Sequence, residues 1–125
     1  MVGFNSLAAL ELLPDGIHAR VQRELIYTAR SGAILTVPVG FVTDGASIPV
    51  ELWSTVGSPF TGKYRRAAIL HDFMYTTINL NKTDADNIFL EAMLLDGTNE
   101  LQAHTIWEGV HLFGRRAWVA DHVVK

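Results

Sequence analysis

The chain has 125 residues, 49% of them apolar and 18% charged, with no cysteine. That length accommodates one compact domain spanning residues 1–125, and the missing thiols exclude disulfide scaffolds, thiolate zinc sites and cysteine nucleophiles together. Ten Lys and Arg against thirteen Asp and Glu give a formal charge of -3, which argues against broad nucleic-acid binding.

No stretch approaches the roughly 18 to 20 apolar residues of a membrane-spanning helix. The start, Met1-Val2-Gly3-Phe4-Asn5, lacks the basic region and apolar run of a signal peptide. The expectation is a protein made in the cytoplasm.

Residues 3–43 read as strands: Leu7 to Leu13, Ile17 to Ala29 and Ala33 to Val39. Pro14-Asp15-Gly16 and Arg30-Ser31-Gly32 divide them as hairpin turns, because glycine takes positive φ without a steric cost. In the middle run Ile17, Ala19, Val21, Leu25 and Tyr27 share one parity, the pattern of a half-buried antiparallel strand. Arg23 interrupts that parity, and a bulge is expected there.

Residues from about 47 to 118 read as helices. Ser47 caps a short helix with Pro49 in its first turn and Leu52 and Trp53 facing inward, ended by Val56-Gly57-Ser58-Pro59. A second helix runs from about Gly62 to Thr76 with Ala67, Leu70, Phe73 and Met74 as its stripe. After the turn Asn79 to Lys82, Thr83 and Asp86 form a capping pair for a third helix. It carries Ala85, Ile88, Phe89, Ala92, Met93 and Leu95 inward and stops at Asp96-Gly97. The fourth starts near Thr98 or Asn99 and repeats Ala103, Ile106, Trp107, Val110, Phe113, Gly114 and Trp118. Strands followed by helices define an α+β fold: a small N-terminal antiparallel sheet with hairpins, packed by three to four C-terminal helices.

The chemistry concentrates in two helical stretches, Ala67-Ala68-Ile69-Leu70-His71-Asp72-Phe73-Met74-Tyr75 and Ala85-Asp86-Asn87-Ile88-Phe89-Leu90-Glu91-Ala92-Met93. His71 and Tyr75 share a helix face, whereas Asp72 is turned away by about 100°. An antiparallel helix pair joined by the short turn brings Asp86 within reach of His71. A carboxylate on one ring nitrogen fixes the tautomer and leaves the other to take a proton from water. Asp72, pointing elsewhere, is available to a hard cation.

Two resemblances follow from these residues. Gly40-Phe41-Val42-Thr43-Asp44-Gly45-Ala46-Ser47-Ile48-Pro49, Trp53, Ala67-Ala68-Ile69-Leu70-His71-Asp72, Tyr75, Ala85-Asp86 and Gly114 together resemble the phage and prophage family filed as domain of unknown function 1353. That resemblance spans residues 38–118 and implies a viral or prophage origin, with no established activity. The shorter pattern A-A-x-x-H-D-x-x-Y, then A-D-x-x-F-L, is similar to the catalytic helices of calcium-dependent phospholipases, the parvovirus capsid domain above all. It implies His71 as the base, Asp86 as the group orienting it, Tyr75 as a supporting hydroxyl and Asp72 as a ligand of calcium or another divalent cation. Those enzymes also use a glycine-rich loop. The corresponding stretch, Glu51 to Thr55, has no glycine, so Asp44-Gly45 or the Gly57 to Gly62 segment would have to supply further oxygens, with Asp44 as the candidate third carboxylate.

Each feature also has a plainer explanation. The His-Asp-Tyr cluster can be a buried polar network that fixes the fold, Asp86 can cap its own helix, and Asp44 can be a turn residue. His104, Glu108 and His111 share a face with zinc-ligand spacing, but a solvated polar face is the expected reading. Lys63, Arg65 and Arg66 read as a solvated helix start rather than a phosphate site. Trp53, Trp107 and Trp118 read as core or interface residues. Three functions stay open: a divalent-cation-assisted esterase or phospholipase-like hydrolase, a virion or tail-assembly component bound to phage structural proteins, and a factor that binds a host protein.

Overall fold

The computed structural model describes residues 2–15, 18–43, 64–77 and 81–113. The expected helix after Ser47, with Trp53, Asp44, Lys63, the Gly57 to Gly62 segment, Gly114 and Trp118, lies outside them.

The described residues of the N-terminal half form six short strands, β1 (Gly3–Phe4), β2 (Leu10–Leu12), β3 (Ala19–Val21), β4 (Leu25–Thr28), β5 (Ile34–Val37) and β6 (Val42–Thr43). They make two three-stranded antiparallel sheets, ordered β1-β4-β5 and β2-β3-β6, in place of the one sheet expected. The run from Ile17 to Ala29 is therefore two strands in different sheets. Arg23 marks the break: it sits on the inward parity, its guanidinium cannot be buried unpaired, and it stays exposed while the chain changes sheet. The parity survives the break, since Ala19, Val21, Leu25, Tyr27 and Ala29 are all buried. The β4–β5 hairpin closes as its sequence predicts, with the Ala29 N–H on the Ala33 carbonyl at 2.9 Å and Gly32 at φ 92°.

Among the described residues three helices follow: α1 (Arg65–Thr77), α2 (Lys82–Leu95) and α3 (Glu100–Phe113). Asn81, rather than Thr83, caps α2; its side chain accepts from the Asp84 N–H at 2.8 Å, so Asp86 is released from any capping role. At the other end Asp96 is the C-cap and Gly97 takes φ 87°, the left-handed turn glycine permits. Asn99 caps α3 by accepting from the Leu101 and Gln102 N–H groups.

Helix α1 is the central element. It packs on β5 and β6 and against α2, so its burial extends well beyond one stripe: Ala67, Ala68, Ile69, Leu70, Met74 and Tyr75 are all buried. Leu95, expected in the core, is instead on the exposed side of the last turn of α2, while Ala92 and Met93 of the same turn are buried. Polar ties join the layers. The Tyr27 hydroxyl donates to Glu91 Oε1 at 2.5 Å. Arg66, expected to be solvated, forks onto Asp96 at 2.6 and 3.0 Å, reaches the Ser6 carbonyl and lies over the Phe4 ring.

Candidate active site

His71 and Tyr75 project from the same face of α1, one turn apart, toward Asp86 on the second turn of α2. Both reach the same oxygen. His71 Nε2 lies 2.7 Å from Asp86 Oδ1, and the Tyr75 hydroxyl donates to that atom at 2.7 Å. The other oxygen, Oδ2, accepts from Lys82 Nζ at 2.7 Å and faces His111 Nδ1 at 3.3 Å. Lys82 Nζ also donates to the His111 carbonyl at 3.0 Å. Asp86 is thus a hub on which groups from all three helices converge.

None of His71, Tyr75 and Asp86 has exposed surface. The His71 ring is stacked on Phe89 at 4.4 Å and tilted against Tyr75 at 4.2 Å, which fixes its plane. Burial alone would push the Asp86 carboxyl up, but the hydrogen bond and electrostatic pull of His71, with the bonds from Lys82 and Tyr75, hold it well below the usual carboxylate range. Burial, then the hydrogen bond to Asp86 and its charge, push the Tyr75 phenol far above its ordinary value. An ionised Asp86 only accepts, so Nε2 of His71 carries a proton; in the neutral ring the lone pair is then on Nδ1.

Asp72, the next residue along α1, is buried. Asp44 lies outside the described residues. Among the described residues no group of three or more His, Asp or Glu side chains is arranged to hold a metal, and His104 and Glu108 are exposed. His111 departs from the solvated face expected for it, turning its ring toward Asp86 and stacking parallel on Trp107 at 4.9 Å. Lys82 was hidden from sequence reasoning by being placed in the turn. The signal was its spacing, since Lys82 and Asp86 are four apart on one helix face. A cavity of about 290 Å³ opens elsewhere, lined by Ala8, Leu10, Leu12 and Arg65.

A family model described as "Protein of unknown function (DUF1353)" matches residues 19–110. That interval holds β3 to β6, α1, α2 and most of α3, with His71, Tyr75, Lys82 and Asp86 inside it. The chain belongs to this family. Two relatives from Sinorhizobium fredii are similar to it: "Uncharacterized protein y4jT", 35% identical over 78 residues (62% of this chain and 23% of the relative), and "Uncharacterized protein y4iH", 29% identical over 111 residues (89% and 46%). The matched region thus spans less than half the length of either. No solved structure matches the chain.

Proposed function

We propose that this DUF1353 protein is a hydrolase of the esterase or phospholipase type, with His71 as the general base, Asp86 as its orienting carboxylate and Tyr75 as a supporting hydroxyl. The observation that carries the reading is the shared oxygen: Asp86 Oδ1 takes both the His71 ring and the Tyr75 hydroxyl at 2.7 Å. In this reading Nδ1 is the basic atom. Nδ1 would take a proton from water as the water attacks an ester carbonyl, Asp86 would stabilise the imidazolium, and the proton would pass to the departing alkoxide. A divalent cation on Asp72 and Asp44 would polarise the carbonyl. Asp72 would be one ligand among the six to eight oxygens that calcium takes.

The experiment is turnover of an ester and phospholipid panel with and without calcium. Wild type should hydrolyse at least one substrate, and a folded His71→Gln variant should lose roughly 10²- to 10⁴-fold. Equal inertness of both would end the hydrolase reading.

A second reading rests on a specific observation, the complete burial of His71, Tyr75 and Asp86. In it the hub is structural and the helices serve a phage or prophage assembly, or bind a host protein. The phage setting is supported by the motif resemblance alone. Presence of the chain in washed virions would favour assembly, and its recovery with one host protein would favour the binding factor.

A further inference from the structure

Asp86 has two carboxylate oxygens with separate duties. Oδ1 serves His71 and Tyr75, both able to donate without a net charge, while Oδ2 meets the Lys82 ammonium. Holding a carboxylate ionised without solvent exposure requires compensation, and Lys82 adds its ammonium, from one turn away on the same helix, to the pull of His71. The ammonium is itself pinned. Besides Oδ2 it bonds the His111 carbonyl at 3.0 Å, and its side chain is 17% exposed. With one anchor on α2 and another on α3, Nζ has little freedom to leave Oδ2. The carboxylate plane is set accordingly, with Oδ1 turned toward His71.

We propose that Lys82 is a positioning residue of the His71–Asp86 dyad: its ammonium, fixed between Asp86 Oδ2 and the His111 carbonyl, locks the orientation and the ionised state of the carboxylate that aligns the His71 ring. The inference rests on the dyad of the proposed site but not on turnover. Among the described residues the charged or titratable groups that bond Asp86 are His71 and Tyr75 from α1, Lys82 from its own helix and His111 from α3. A lysine that merely covered the site with its methylene stem would be replaceable by methionine without electrostatic consequence.

The test is the ¹³C-detected titration of the Asp86 carboxyl in wild type, Lys82→Met and Lys82→Arg. Loss of the ammonium should move the Asp86 midpoint upward by on the order of one to two pH units relative to wild type, and arginine should restore most of it. An unmoved midpoint in folded Lys82→Met would overturn the proposal. If Lys82→Met does not fold, the wild-type protein decides: a hydrogen-bond coupling between Lys82 Nζ and the Asp86 carboxyl carbon is expected, and its absence would equally overturn it. Neither readout needs substrate, so an inert protein with these signatures would remove the hydrolase and keep the role of Lys82. Turnover with an unmoved Asp86 would do the reverse.

Discussion

Asp86 collects more polar partners than any other side chain in the site, and its replacement has the most direct consequences. Asp86→Ala strands the Lys82 ammonium and leaves His71 and Tyr75 without their shared acceptor, so a loss of about 3 kcal/mol or more is expected in chemical denaturation. His71→Ala removes one of several donors and leaves Asp86 still bonded to Lys82 and Tyr75; about 1 to 3 kcal/mol is expected. The pH dependence follows from the direction of each shift. Asp86 is held below its unfolded value, so its contribution is full above about pH 4 and disappears as pH falls toward the folded value. Tyr75 is held above its unfolded value, so its contribution is full below about pH 10 and disappears as pH rises through the folded value. Melting of wild type against Asp86→Asn from pH 2 to 6 checks the acid limb, which should flatten in the variant. At this scale the sequence was informative where spacing governs geometry: one helical turn joins His71 to Tyr75, and a short turn folds Asp86 back to them. His111 was not legible, because its orientation depends on how α3 packs over the helix pair, which no local periodicity encodes.

Capping separates the expected elements from the observed ones. Thr83 and Asp86 match the capping pattern, yet Asn81 occupies the cap and α2 begins at Lys82. Asn81→Ala should cost about 1 kcal/mol in unfolding free energy while Thr83→Ala stays within roughly 0.5 kcal/mol; the opposite ranking would restore Thr83 as the cap. The earlier start has a functional consequence, because it places Lys82 inside the helix and one turn before Asp86. Among the strands, alternation was readable through Ala19, Val21, Leu25 and Tyr27, but not the change of sheet at Arg23. Alternation reports which side faces the core and is blind to which neighbour a strand pairs with.

At the scale of the molecule, the α+β layering was evident from the single change of period near residue 44, whereas the division of the strands into two sheets depends on long-range pairing. The layers are tied by Tyr27 to Glu91 and by Arg66 to the Ser6 carbonyl, so sheet and helices should unfold together; coincident denaturation curves from far-ultraviolet circular dichroism and tryptophan fluorescence are expected, and separated midpoints would show independent units. The match covers 23% and 46% of the two relatives, so the shared region is a part of those longer chains. What that part offers chemically depends on the ring of His71. Long-range ¹H–¹⁵N correlation of the His71 side chain near neutral pH tests this most directly. A proton on Nε2 is the predicted result, and a ring protonated on Nδ1 with a bare Nε2 facing Asp86 would contradict it.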